Sequence, residues 1–382
     1  MNDSRVKIEV HLIQNFAPSN LNRDDTGQPK SATFGGFRRA RISSQCSKRS
    51  TRQLWRAGGT SSVGERTKLL KSELTPRLRG VGRTDEQIGM AVNTFLGQFY
   101  SKMDGDKTKV LLFVSKDETA KAERLIKQHW ERLSTGTLLE AADAKATVTA
   151  LDKAKMSADI ALFGRMLAEQ PGRNTDGACQ VAHPISTHKV DMEMDFYTAV
   201  DDLNPEEETG AGMMGVVGFN SACYYRYALV DRDQLARNLA RKTERKKGEW
   251  SEKLTEDDYA EADKVIKAFL EAMVYAIPTG KQNSFAAQNL PSFGLFVKRQ
   301  GGVPISLANA FAKPIRPTKD DDDVVGLSIA ALTQHWDATQ RVYGAQGVTA
   351  TSCFHLQQDD RLNGLKDCKE ESVEKAIDAI TR

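Results

Sequence analysis

The chain has 382 residues, of which 40% are hydrophobic and 27% charged, with a net charge of +3. That size buries a substantial core and admits two or three domains, while no stretch approaches the ~20 apolar residues of a membrane span. The opening MNDSRVKIEVHLIQ lacks the basic start and apolar run of a leader, and Cys46, Cys179, Cys223, Cys353 and Cys368 never fall in CxxC spacing. The expectation is a cytoplasmic chain without membrane contact, disulfide framework, zinc cluster or other cofactor.

Val6, Ile8, Val10 and Leu12 alternate with Lys7, Glu9 and His11, the pattern of a half-buried strand. A polar loop over 15–28 leads into a basic segment. Residues 26–64 contain Lys30, Arg38, Arg39, Arg41, Lys48, Arg49, Arg52 and Arg56 and no acid, so this stretch holds +8 and the remainder of the chain sums to −5. Charge gathered so locally calls for a polyanion. Gly35-Gly36 permits close backbone approach, and Ser43-Ser44 can cap a helix over 45–57 that Gly58-Gly59 ends. Gln45, Arg49, Arg52 and Arg56 are then spaced four, three and four apart, on one face beside Lys48. A helix that presents its positive end and a row of cations can follow successive phosphates of a nucleic-acid backbone.

Helical periodicity follows over 65–78, 85–100 and 116–133, with a short strand over 110–114. Val190, Met192, Met194 and Phe196 alternate with charged residues as a strand. Residues 201–221 then run from Glu206-Glu207-Glu208 into Gly210, Gly212, Met213, Met214, Gly215, Val216, Val217, Gly218 and Phe219, and 222–230 is strand-like again. Two strands around a Gly- and Met-rich segment predict a long, mobile hairpin whose apolar side chains can dock on a neighbour or wedge between bases. Gly210, Gly212 and Gly215 also spell GxGxxG, but a dinucleotide site requires a strand before and a helix after, and neither pattern is present. A charged connector is expected over 243–253, and helices over 256–276, 327–343 and 371–380.

His183 and His188, with Asp191 and Asp195 beyond, fit no metal-helix spacing and read as structural histidines. Asp24-Asp25 reads first as a polar turn, with a general base or metal ligand as the second reading. No P-loop, HExxH or GxSxG is present.

Several longer runs resemble a known family. Leu21-Asn-Arg23-Asp-Asp25, Phe34-Gly-Gly36 and Arg38-Arg39-Ala40-Arg41-Ile-Ser-Ser-Gln45 resemble the start of the CasC-type backbone subunit of Cascade, the type I-E CRISPR surveillance complex. The likeness continues through Asp159–Met166, His183–Asp191, Phe196–Leu203, Tyr225–Ala228, Gly280–Gln282 and Leu307–Phe311, in family order over most of the chain. The resemblance implies an α+β hand: an RNA-recognition-motif-like (ferredoxin-like) palm, a helical fingers insert and a β-hairpin thumb. The corresponding segments are 1–60, 145–192 and 223–382 for the palm, 61–144 for the fingers and 193–222 for the thumb.

It further implies a non-catalytic subunit that polymerises along guide RNA and presents it in kinked segments for pairing with target DNA. Its partners would be neighbouring copies of itself, other Cascade subunits and a recruited helicase-nuclease. The RNA contacts implied are Arg23, Lys30, Arg39, Arg41, Ser43, Gln45, Lys48, Arg49, Arg52, Met166, Lys281 and Gln282. The thumb's apolar part would be Met213, Met214, Val216, Val217 and Phe219. Phe37 departs from the pattern, standing where a basic residue can follow the diglycine. The alternative is a backbone-type ribonuclease that cuts target RNA with an aspartate of the loop after the first strand, where Asp24 and Asp25 stand.

Overall fold

Strand β1 (Val6–Ser19) has the alternation of a one-sided strand, yet it is buried on both faces. In the computed structural model, which describes residues 5–80, 82–199, 213–246, 248–357 and 359–381, β1 lies in the interior of an antiparallel sheet. The sheet order is β10 (Glu193–Ala199), β11 (Met213–Asp231), β1, β14 (Phe293–Gln300) and β15 (Val348–His355), with β8 (Cys179–Val181) and β9 (Ile185–Ser186) also pairing with β11. Glu9, His11 and Ile13 face the same side as Val297, Leu295 and Phe293, their register partners on β14. There Ile13, Leu295 and Phe293 join Ile329, Leu332 and Trp336 of helix α11 (Val324–Tyr343) in one core.

A half-buried strand was the expectation, and the structure corrects it. The polar side of β1 is enclosed because its charges are matched. Glu9 accepts from Arg299 Nε at 2.7 Å, and both side chains are 0% exposed. The amide of Ile305 adds a hydrogen bond to Glu9 at 3.0 Å, and His11 Nδ1 lies 2.9 Å from the hydroxyl of Tyr225. Burial raises the carboxyl of Glu9 while Arg299 opposes the rise. Burial, reinforced by Arg299, pushes His11 down to about 3, so its ring is neutral.

The chain divides into two units, one made of residues 1–54, 180–229 and 266–382, the other of 55–179 and 230–265. In the first, β2 (Ser31–Phe34) and β3 (Phe37–Ala40) form a hairpin turned by Gly35 and Gly36 at φ +59° and +81°. Gly35 is required: a Cβ there would fall 1.8 Å from the carbonyl oxygen of Ala312. Helix α1 (Ser44–Gly58) follows, close to the expected span. Helix α9 (Glu256–Tyr275) enters this unit at Ile266, and Lys267 reaches Asp378 of α12 (Val373–Thr381) at 2.6 Å. The short helix α10 (Gln282–Phe285) precedes β14.

The second unit is mixed. Strand β4 (Glu65–Thr67) pairs with β7 (Leu112–Val114), so the helix expected over 65–78 is only α2 (Leu70–Leu78). Helix α3 (Asp85–Phe99) opens on a capping box between Thr84 and Gln87. A two-residue hairpin, β5 (Met103–Asp104) with β6 (Lys107–Thr108), comes next. The helix expected over 116–133 is two, α4 (Lys116–Gln128) and α5 (Trp130–Leu133). Leu74, Phe95, Leu96, Leu125, Ile126 and Leu151 form the core with α6 (Ala141–Asp152).

Helix α7 (Ala158–Phe163) ends at Gly164, φ +78°, and Arg165 turns inward. Its guanidinium meets Glu118 at 2.6 Å, and Arg173 reaches the other oxygen of the same carboxylate; all three side chains are at most 3% exposed. Arg173 also holds Asp152 at 3.1 Å. Beyond α8 (Arg232–Ala240), the expected charged connector forms β12 (Arg245–Lys246) and β13 (Glu249–Trp250), with Trp250 between the guanidiniums of Arg237 and Arg245. The class is therefore α+β, and no helix among the described residues is long and apolar enough to cross a membrane.

Candidate nucleic-acid interface

The loop after β1 is held in shape by its own polar residues. Asp24 Oδ1 accepts from the amide of Thr26 (2.9 Å), the hydroxyl of Thr26 (2.7 Å) and the amide of Gln28 (3.0 Å). These hydrogen bonds, that of the Thr26 hydroxyl first, hold its carboxyl below the usual range, and nearby Lys30 adds to the effect. Asn20 Nδ2 donates to the carbonyls of Gly27 (3.0 Å) and Gly218 (2.9 Å), and Asn22 Oδ1 accepts from the amide of Ser43 (2.7 Å). One set of amides thus fastens the loop, the base of β11 and the start of α1 to one another. No sequence signal marks these residues, since Asn in a loop says nothing of what it will bind.

Ser43 is the cap of α1: its Oγ accepts from the amide of Cys46 at 3.2 Å. The first turn carries no acid, so the positive end of the helix stays uncompensated. Gln45 and Arg49 are exposed and Lys48 and Arg52 half-buried, while Ser47, Ser50, Thr51 and Trp55 turn inward. Arg23 is exposed on the loop, and Lys30 and Arg41 are half-buried and joined by the bond from the Arg41 amide to the Lys30 carbonyl at 2.9 Å. The loop, the β3–α1 junction and α1 therefore bring Arg23, Lys30, Arg41, Ser43, Gln45, Lys48, Arg49 and Arg52 together within one unit.

Arg56, at the end of the same row, is in the second unit and bonded to Glu65 at 3.1 Å, which offsets its charge.

Arg39 needs correction. It is 0% exposed, and its guanidinium donates to the carbonyls of Ser186 (2.9 Å), Phe311 (2.6 Å) and Ala312 (3.3 Å). It pins the hairpin rather than presenting charge. Phe37, the departure from the family pattern, has the guanidinium of Arg316 5.7 Å from its ring centre.

Lys281 is half-buried in a left-handed turn at φ +51°, next to Gly280, where a Cβ would fall 2.3 Å from the carbonyl oxygen of Leu21. That close approach sets Lys281 beside the loop. Gln282 is engaged within its own turn, where its Nε2 donates to the carbonyls of Pro278 (3.0 Å) and Ala287 (3.1 Å) and closes it. Met166 belongs to the second unit and is 77% exposed, following the buried Arg165.

The hairpin of β10 and β11 corrects the expected loop in part. Residues 213–221 are strand, paired from Glu193↔Phe219 to Ala199↔Met213; positions 201–212, Gly210 and Gly212 among them, lie outside the described residues. Gly215 sits inside β11 with no helix after it, against the ring of Tyr197. Met194 and Phe196 lie on one face with Val216 and Met214, directly opposite or diagonal, and these four are 56–65% exposed. Met194 and Phe196 fall outside the expected apolar set, although their alternation with charge is visible in the sequence. Val217 is half-buried, and Phe219 packs at the base with its ring 5.7 Å from that of Phe285.

The family profile for CT1975-like proteins matches residues 8–381. The chain belongs to this family. The CT1975-like chain is similar to one chain of a solved "CRISPR RNA-guided surveillance complex, pre-nicking", 27% identical over 98% of this chain and 99% of that one, with a TM-score of 0.82. It is also similar to a chain of a second "CRISPR RNA-guided surveillance complex", 23% identical with the same coverage and a TM-score of 0.73, a likeness of fold. No curated protein sequence matches it.

Proposed function

We propose that this protein is a non-catalytic backbone subunit of a type I-E Cascade, of the CasC type, binding guide RNA through its sugar-phosphate backbone. The observation that carries the reading is the acid-free strip from Lys30 through Arg41 to Arg49, with Arg23 beside it, joined to the likeness to a surveillance-complex chain. In this reading the sheet around β1, β14, β15 and the later part of β11 is an RNA-recognition-motif-like palm, the helical segment 61–144 the fingers and the β10–β11 hairpin the thumb. Copies would polymerise along the guide in the cytoplasm, beside other Cascade subunits. They would leave short segments free to pair with target DNA, whose cleavage falls to a recruited helicase-nuclease. Base pairing then carries sequence, and the protein reads shape and charge.

Binding of single-stranded RNA should be steeply salt-dependent and indifferent to sequence. Lys48→Ala and Arg49→Ala should each weaken it and reduce the magnitude of the log–log salt slope by roughly 0.7. Fluorescence anisotropy over a salt series measures this. A change of sequence preference with an unchanged slope would show that the strip reads bases.

The ribonuclease alternative turns on Asp24, whose Oδ1 already takes three hydrogen bonds within its own loop. Assembled protein with complementary RNA and Mg²⁺ should leave that RNA intact on a denaturing gel. Regular cuts that vanish in Asp24→Ala or Asp25→Ala would install the alternative.

A further inference from the structure

His183 and His188 look alike in the sequence, but their surroundings differ. His188 uses both ring nitrogens inside the protein: Nδ1 bonds the carbonyl of Lys189 at 2.8 Å, and Nε2 accepts from the amide of Cys223 at 3.2 Å. His183 is exposed. The antiparallel bridge Arg41↔Ile185 and the bond from the Ile42 amide to the Pro184 carbonyl, 3.0 Å, lay its segment along the β3–α1 junction. Its Nδ1 lies 2.8 Å from Nη1 of Arg41, whose Nε is held by the carbonyl of Ser31 at 3.3 Å.

A guanidinium can only donate. Nδ1 of His183 is therefore the acceptor and the ring proton sits on Nε2. The charged groups facing the ring are Arg41, from the β3–α1 junction, and Lys30, from the end of the loop before β2; burial and then these two cations lower its pKa. A neutral ring at pH 7 with Nε2–H as donor follows from both the geometry and the charge.

We propose that His183 is a further ligand of the nucleic-acid strip: its Nδ1 fixes the Arg41 guanidinium and its Nε2–H donates to an RNA phosphate oxygen. This deepens the guide-binding reading and rests on it. One imidazole bridges a cation and an anion, so that Arg41 and His183 grip a phosphate as a preset pair rather than as two loose side chains.

The test uses the whole protein and a fluorescently labelled single-stranded RNA of mixed sequence. His183→Ala should weaken binding about tenfold, the size of a hydrogen bond to a charged group. His183→Gln, which retains a donor near the Nε2 position, should recover most of that loss. In an Arg41→Ala background, His183→Ala should cost less than about threefold more, because the two act together. In protein labelled with ¹⁵N-histidine, the His183 resonances should show the Nε2–H tautomer and move on RNA addition, which a purely structural histidine would not do. Unchanged affinity in His183→Ala, or a resonance indifferent to RNA, overturns the assignment. Lys48→Ala measured alongside tells whether the guide-binding reading falls too: weakened binding there leaves the strip standing without His183.

Discussion

Replacing Met194, Phe196, Met214 and Val216 together by Ser should abolish assembly on a guide long enough for several copies, while a short RNA spanning one copy still binds nearly as well. The four side chains share one face of the β10–β11 hairpin and are mostly exposed. Covering an apolar side chain of this size contributes about 1.5–3 kcal/mol. Because the four are already about two-fifths covered, losing them removes on the order of 4 kcal/mol or more from each junction between copies, roughly three orders of magnitude in affinity. Arg23, Arg41 and the α1 cations are untouched by the change, so single-copy binding survives. Mass photometry on a long guide reads the assembly, and hydrogen exchange along 193–199 and 213–219 should slow in assembled protein beyond the protection that the paired ladder already gives one copy. Full-length filaments from the quadruple variant would show that this apolar face does not join the copies.

Glu118→Gln should be the most damaging single change to stability. The side chain is nearly isosteric, but Arg165 and Arg173 would keep their charges in the interior without the carboxylate between them. Breaking a buried ion pair from one side costs about 3–5 kcal/mol. For a unit of this size the thermal midpoint should fall by roughly 10 °C or more, followed by far-UV circular dichroism. The turn at Gly164–Arg165 should loosen first, exposing residues 164–175 to proteolysis and releasing Met166 from its fixed position. A midpoint unchanged from wild type would mean that water or rearrangement supplies what Glu118 supplies now.

Elements with local signals were legible in the sequence. α1 announces itself through Ser43, within a turn of the helix it starts, and α3 through the helical periodicity of 85–100. What failed depended on partners far away in the chain. The buried polar face of β1 exists because Arg299, 290 residues on, closes over Glu9. The helix expected from residue 65 begins as a strand because β7, over forty residues later, offers a ladder. The site divides in the same way. The basic strip is contiguous in sequence, so most of it could be read directly. Arg39 could not be told from its neighbours, since the carbonyls that take its guanidinium come from Ser186, Phe311 and Ala312. His183 carries no signal of its own, because an isolated histidine says nothing of a guanidinium 142 positions away.

β11 runs from Met213 to Asp231 as one uninterrupted strand, from the hairpin into the sheet. The hairpin's reach is thereby a matter of counting. A flexible tether would set its span as a statistical average, growing with the square root of its length. A strand sets it as a ruler graduated at roughly 3.3–3.4 Å per residue. Only every second graduation is usable, because a one-residue shift turns Met214 and Val216 to the opposite side. The pitch between neighbouring molecules along any lattice built through this hairpin is therefore quantised in steps of about 7 Å, and evolution can lengthen or shorten it only by adding or removing residues in pairs on both strands.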